Sequence, residues 1–320
     1  MNYIEQAYEV LHDSWRYLVG AVIIFAFWQI IGIVPLMIFI GVEIANGASL
    51  SMVTDISQMA SLLGNNLFLF LMLCSFAAGL GGIMLASRLL HKQSFVHLTT
   101  ARPKIDWKRF WFIFIIWGAF SIGSTLLSYY LMPGDYVFNL NLKPFIILCV
   151  IVVLLIPLQT SFEEYLFRGY LMQGFGLLFK NRWAPLLITS IGFGLLHGLN
   201  PEVDQLGPIM MVFYIGTGLV LGIMTLMDDG MELALGFHAA NNMFTALLVT
   251  SDWSALQTDA LLTYTADPEK IAFSEIVAPV LIVYPILLFI LSKKYGWTNW
   301  KDKLFGKVTE PPKEDYKIIK

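Results

Sequence analysis

The chain has 320 residues, of which 57% are hydrophobic and 13% charged, with a mean hydropathy of +0.69 and a formal net charge of −3. A soluble domain carries about 25% charged residues, so the composition excludes an ordinary soluble globule and predicts an all-α, polytopic membrane helix bundle. The absence of a basic block argues against nucleic acid as a partner. The two cysteines, Cys74 and Cys149, lie in apolar runs and offer neither a disulfide framework nor a CxxC metal site.

In chain order, residues 2–17 place Ile4, Tyr8, Leu11 and Trp15 at helical spacing. This predicts a short interfacial amphipathic helix, with His12 on its polar side. No basic region precedes the first apolar run, and that run is too long for a signal-peptide core, so no cleaved signal is expected. A membrane span needs about 20 apolar residues. Candidate runs fall at 18–42, 66–87, 110–132, 145–162, 184–197, 209–227, 233–250 and 273–292. The fifth is short and Gly-rich, and needs cover from its neighbours. This count of spans puts both termini on one side.

Charge tests that count. The N-terminal arm, the 88–109 loop, the 180–182 turn and the 293–320 tail hold 17 of the 20 Lys and Arg residues. The opposite loops hold only Lys143 and Lys270, and Arg168 is the remaining one. The positive-inside rule then makes both termini cytoplasmic. The expected location is the plasma membrane, with membrane lipids as partners. The polar loops 43–65 and 251–272 face outward. The tail, 301–320, is charged, contains Pro311 and Pro312, and is expected to be mobile. Trp297 and Trp300 fit an interfacial belt. The pairs Gly194/Gly198 and Gly218/Gly222 have GxxxG spacing and predict close helix packing.

The chain divides into an N-terminal membrane region (1–140, the amphipathic helix and three spans), a core rich in polar membrane residues (141–250), an outer loop with the last span (251–300) and the cytoplasmic tail (301–320). Ionisable groups inside spans are expensive and functional by default. Glu163, Glu164 and Arg168 follow the fourth run, His197 ends the fifth, and His238 and Asn242 lie early in the seventh. Glu164 and Arg168 are four residues apart with the acid first, the better orientation for an ion pair. Glu163 points about 100° away and stays free. Phe193 and His197 share a helix face, as do His238 and Asn242.

Each fragment has a bland reading: glutamates marking the interface, a helix-end histidine on a carbonyl, interhelical polar glue. Together they supply the parts for amide hydrolysis. A desolvated carboxylate takes a proton from water, and an imidazole orients that water. A second imidazole and an amide stabilise the oxyanion.

The ordered set Glu163-Glu164-Tyr165-Leu166-Phe167-Arg168, Phe193 to His197, and His238 to Asn242 resembles the CPBP family. These are type II CAAX prenyl endopeptidases, also called Abi or Rce1-like intramembrane glutamate proteases. The resemblance covers roughly residues 145–250 and makes 141–250 the catalytic core. It implies an intramembrane endopeptidase acting on a membrane-associated peptide or lipidated protein. Glu163 and His197 would activate water, His238 and Asn242 would form the oxyanion hole, and Glu164 with Arg168 would hold the site together. No cofactor is expected. The family has also been labelled metal-dependent, and two histidines with a glutamate could hold zinc, but there is no HExxH and the donors come from three segments.

The stretch from Phe145 to Phe179 is too long for one span and too short for two. Either the helix ends near Glu163 or it is long and tilted, and both geometries allow a cavity open to the cytoplasm. Two other function classes stay open: a non-catalytic, peptide-binding immunity protein, and a transporter with Glu163 or Glu164 in a proton relay, which predicts repeats that the sequence does not show.

Overall fold

The computed structural model describes residues 2–53 and 56–312. Every one of the apolar runs is helical. The first rod is α1 (Ser14–Phe25), a π-helical stretch Ala26–Ile31, and α2 (Val34–Ala45). Then come α3 (Ile56–Leu63), α4 (Asn65–Leu90), α5 (Phe95–Thr99), α6 (Trp107–Leu131) and α7 (Leu142–Glu164). A π-helical turn, Tyr165–Leu171, carries α7 straight into α8 (Met172–Phe179). The remainder is α9 (Trp183–Leu196), α10 (Pro201–Leu206), α11 (Met210–Asp228), α12 (Glu232–Leu248), α13 (Phe273–Ala278), α14 (Tyr284–Tyr295) and α15 (Trp300–Phe305).

Among the described residues, 6 helical rods are long and apolar enough to cross a membrane. The protein is an all-α polytopic bundle and an integral membrane protein. The two exceptions are α9, with 14 residues, and α12, with 17. At 1.5 Å per residue they reach about 21 Å and about 26 Å, short of a hydrocarbon core of about 30 Å. Longer helices shield α12, which packs on α6 and α7; α9 packs on α11 and leaves Leu187, Ile191 and Leu195 exposed. A polar, short helix is tolerated at membrane depth when protein rather than lipid surrounds it.

Small residues set how close the helices come, because lipid removes the hydrophobic drive between them. A Cβ on Gly236 of α12 would lie 2.4 Å from the Phe110 carbonyl oxygen of α6. A Cβ on Gly218 of α11 would lie 2.7 Å from the Ser190 carbonyl oxygen of α9. The second contact is one member of the GxxxG pair read from sequence. Its partner Gly222 meets the Leu186 side chain, whereas Gly198 packs only against its own helix end and Met211.

The structure corrects several local expectations. Residues 2–17 are not one amphipathic helix. Glu5–Glu9 forms a 3₁₀ turn, Val10 is extended, and α1 starts at Ser14. Tyr3, Ile4 and Tyr8 are buried in the main core, while Leu11 and Trp15 stay exposed. Trp297 is not an interfacial anchor. It is buried, and its Nε1–H donates to Asp228 Oδ1 at 3.0 Å. The tail is docked as far as Val308, which is buried and donates its N–H to the Lys180 carbonyl; residues 313–320 lie outside the described residues.

A three-stranded sheet, unforeseen in the sequence, sits at the opposite end. β1 (Tyr136–Phe138) pairs antiparallel with β3 (Leu262–Tyr264), which pairs parallel with β2 (Val249–Thr250). The end carrying the N-terminal arm is tied together by ion pairs. Arg102 bridges Asp228 and Glu232, Arg109 reaches Asp228 at 2.6 Å, and Arg182 bridges Glu5 and Asp302.

Candidate active site

The rod from Leu142 to Phe179 is continuous over 38 residues, so the long-helix alternative holds. Its axial rise puts Glu163 about 32 Å from the Leu142 end and about 24 Å from the Phe179 end. The two glutamates are the last α-helical residues before the π turn.

Glu164 and Arg168 are both fully buried and form the ion pair that their spacing predicts, Nη1 to Oε1 at 2.9 Å. A buried charge needs a partner of this kind. Arg168 also donates from Nη2 to the Gly218 carbonyl at 2.9 Å. Its guanidinium carbon lies 4.5 Å from the centre of the Phe193 ring, within cation–π range. One side chain thus links the glutamate rod to α11 and α9. The close approach of α9 and α11 at Gly218 holds that carbonyl in place.

His238 stands between the two glutamates. Its Nδ1 lies 2.7 Å from Glu164 Oε1, and its Nε2 lies 3.5 Å from Glu163 Oε2. Because Glu164 is held as an acceptor by Arg168, Nδ1–H is the donor, and Nε2 is presented to Glu163. Glu163 Oε1 accepts from Gln159 Nε2 at 2.6 Å. Its Oε2 is buried and has no hydrogen-bond partner. Glu164 Oε2 is likewise buried without a hydrogen-bond partner, but the ion pair falls on Glu164, as the 100° offset predicts, and Glu163 is the one that lines a cavity.

Asn242 reaches the same carboxylate indirectly. Its Nδ2 donates to Gln159 Oε1 at 3.1 Å, so Gln159 joins Asn242 to Glu163. Asn242 Oδ1 accepts from Asn241 Nδ2 at 3.2 Å, and Asn241 Oδ1 accepts from Trp117 Nε1 at 3.1 Å on α6. His197 caps the end of α9, its Nδ1 donating to the Phe193 carbonyl 2.8 Å away. It does not join the Glu164–Arg168–His238 cluster directly. The Phe193 ring connects them, 4.7 Å from the His197 ring centre and 5.8 Å from that of His238.

Glu163, His197 and Asn242 line one cavity of about 620 Å³, and Gln159, Asn241 and Phe193 line it with them. Its size is that of a ligand site, largely apolar with a few convergent polar groups. The lining reaches Tyr136, Trp253, Ser254, Tyr264 and Glu275, at the end opposite the N-terminal arm. The other direction is blocked by the buried Arg168, Tyr165 and Tyr170.

Gln159 was not singled out in the sequence, although a lone amide four residues before Glu163 in an apolar helix was a usable signal. Tyr214 and Glu202 carried none. Tyr214 stacks on His197 with ring centres 4.4 Å apart, and its hydroxyl donates to Glu202. Glu202 also accepts from Asn200 Nδ2 at 3.2 Å and from the Ala255 N–H at 2.9 Å. The Glu202–Ala255 contact spans 53 residues of chain and exists only after folding.

Among the described residues, no three His, Cys, Asp or Glu side chains are placed to share a metal ion. Cys74 and Cys149 are free.

Residues 142–244 match the family model described as type II CAAX prenyl endopeptidase Rce1-like. All three motifs fall inside that match, so the resemblance read from them is borne out: this segment is an Rce1-like domain, consistent with the CPBP family. The chain is also 36% identical over 170 residues to a Bacillus subtilis (strain 168) protein described as "Uncharacterized protein YyaK". That alignment covers 53% of this chain and 57% of the relative, so it spans little more than half of either. No solved structure matches.

Proposed function

We propose that the protein is an intramembrane endopeptidase and that Glu163 is its general base. The observation that carries this reading is the state of one carboxylate. Glu163 Oε1 is fixed by Gln159, while Oε2 is buried, unpartnered and beside His238 Nε2 on the wall of a peptide-sized cavity. A carboxylate with one oxygen held and the other without a hydrogen-bond partner is placed to accept a proton from water.

Water held between Glu163 Oε2 and His197 loses a proton to Glu163 as its oxygen bonds to the peptide carbonyl carbon. The carbonyl oxygen becomes an oxyanion, which accepts a hydrogen bond from the Asn242 amide; the one N–H of His238 is held by Glu164. Preorganised donors of this kind are worth several kcal/mol, about 2.7–4 for a single one. The C–N bond then breaks and Glu163 returns its proton to the leaving amine. Glu164 and Arg168 act through His238 and the helix, not on substrate. The sequence uses no metal. The Rce1-like domain supports this class of hydrolase, and the apolar walls suit a membrane-associated or lipidated peptide.

The test is cleavage of a quenched peptide library by the detergent-purified protein, wild type against Glu163→Gln, with and without a strong chelator. Cleavage lost in the variant and unaffected by the chelator is expected. A folded Glu163→Gln protein with full activity would overturn the assignment, and loss on chelation would overturn the metal-free route.

A further inference from the structure

The cavity is one-sided. All the residues around it belong to the middle of the bundle or to the end bearing the three-stranded sheet, and none comes from the N-terminal arm, the 91–106 loop or the carboxy-terminal segment. The opposite end is shut by packed side chains and by the Arg102, Arg109, Asp228 and Glu232 ion-pair network.

The two ends differ equally in charge. The loops and tail of the shut end hold 17 of the 20 Lys and Arg residues. The segments of the open end, 43–65, 132–143, 197–209 and 249–275, hold two lysines and ten acidic residues. Loops rich in Lys and Arg are retained in the cytoplasm during insertion. We infer that the cavity opens on the non-cytoplasmic face and that its substrate is a polypeptide stretch already exported or threaded through the membrane. A cytoplasmic lipidated carboxy-terminus would meet the closed end of the bundle. Export is then the reaction that must supply the substrate. The choice of a polypeptide rests on the peptidase reading above; the direction of opening does not.

The experiment separates the two. In a background with Cys74→Ser and Cys149→Ser, single thiols are placed by Thr245→Cys, inside the cavity, Asp252→Cys, beside its rim, and Lys301→Cys, on the shut end. Cells are treated with a membrane-impermeant maleimide before and after permeabilisation. The Thr245→Cys and Asp252→Cys thiols are expected to label equally in both states, and Lys301→Cys only after permeabilisation. The reverse pattern overturns the orientation, whether or not the protein cleaves anything. Impermeant quenched peptides that the purified protein cuts are expected to be cut by intact cells. Cleavage only after permeabilisation would overturn the exported substrate. Failure of the peptidase reading shows separately, as inactive purified protein.

Discussion

The Nδ1 nitrogen of His238 lies 2.7 Å from Oε1 of Glu164, the same oxygen that accepts from Arg168 at 2.9 Å. One carboxylate oxygen thus fixes the tautomer of the histidine and neutralises a buried arginine. The consequence falls on Glu163, which faces the other ring nitrogen with its own hydrogen bond unmade. Glu163→Gln keeps the shape and the Gln159 contact side but removes the base. Cleavage should fall by about 10²–10⁴-fold, the usual worth of a positioned acid–base group. The melting temperature in detergent should stay at or above the wild-type value.

Arg168→Leu should act on stability instead. It leaves Glu164 charged, fully buried and without its cation, at a cost of about 3–5 kcal/mol. Replacing both members, Glu164→Leu with Arg168→Leu, should recover much of that loss, because the uncompensated charge is gone. Thermal unfolding of the purified variants checks both, and activity should be absent in the double variant, where His238 loses its acceptor.

Gln159→Leu cuts the link from Asn242 to Glu163 without touching either directly. A hydrogen bond to a charged group contributes about 1.5–3 kcal/mol. Cleavage should therefore drop roughly 10- to 100-fold, mainly in kcat, with KM little changed. A change confined to KM would mean that Gln159 contacts substrate rather than holding the base.

Tyr214 separates stacking from hydrogen bonding at His197. Tyr214→Phe keeps the ring 4.4 Å from the imidazole and loses the hydroxyl's contacts with Glu202 and Asn200. Tyr214→Leu loses both. The phenylalanine variant should retain most activity and the leucine variant should not. Equal loss in both would assign the role to the Glu202 bond and the loop it anchors at Ala255.

The shut end has its own pH response. His91 is buried, with Nδ1 2.7 Å from the Leu11 carbonyl and Nε2 2.9 Å from the Tyr170 hydroxyl. Burial pushes its imidazole below the ordinary histidine range. Protonation is then easier in the unfolded chain, so its contribution is complete above about pH 6.5 and is lost as pH falls below that value. The melting temperature should drop between about pH 7.5 and about pH 5.5. That part of the drop should vanish in His91→Gln.

The sequence by itself determined the membrane class, the helical runs and the ion pair within one rod. These rest on apolar length and on i,i+4 spacing, which are local properties of a helix. The offset of Glu163 from Glu164 is legible for the same reason. What joins α7, α9, α11 and α12 is not local. The Gly218 carbonyl that receives Arg168, the Phe193 ring between His197 and Arg168, and the Glu202 anchor under Tyr214 arise from close approach of helices distant in the chain. The sheet from residues 136–138, 249–250 and 262–264 is non-local too. So is the side on which the cavity opens. Only tertiary structure decided it, because it depends on which loops fold over the glutamates and which stay apart, and no spacing along one helix encodes that.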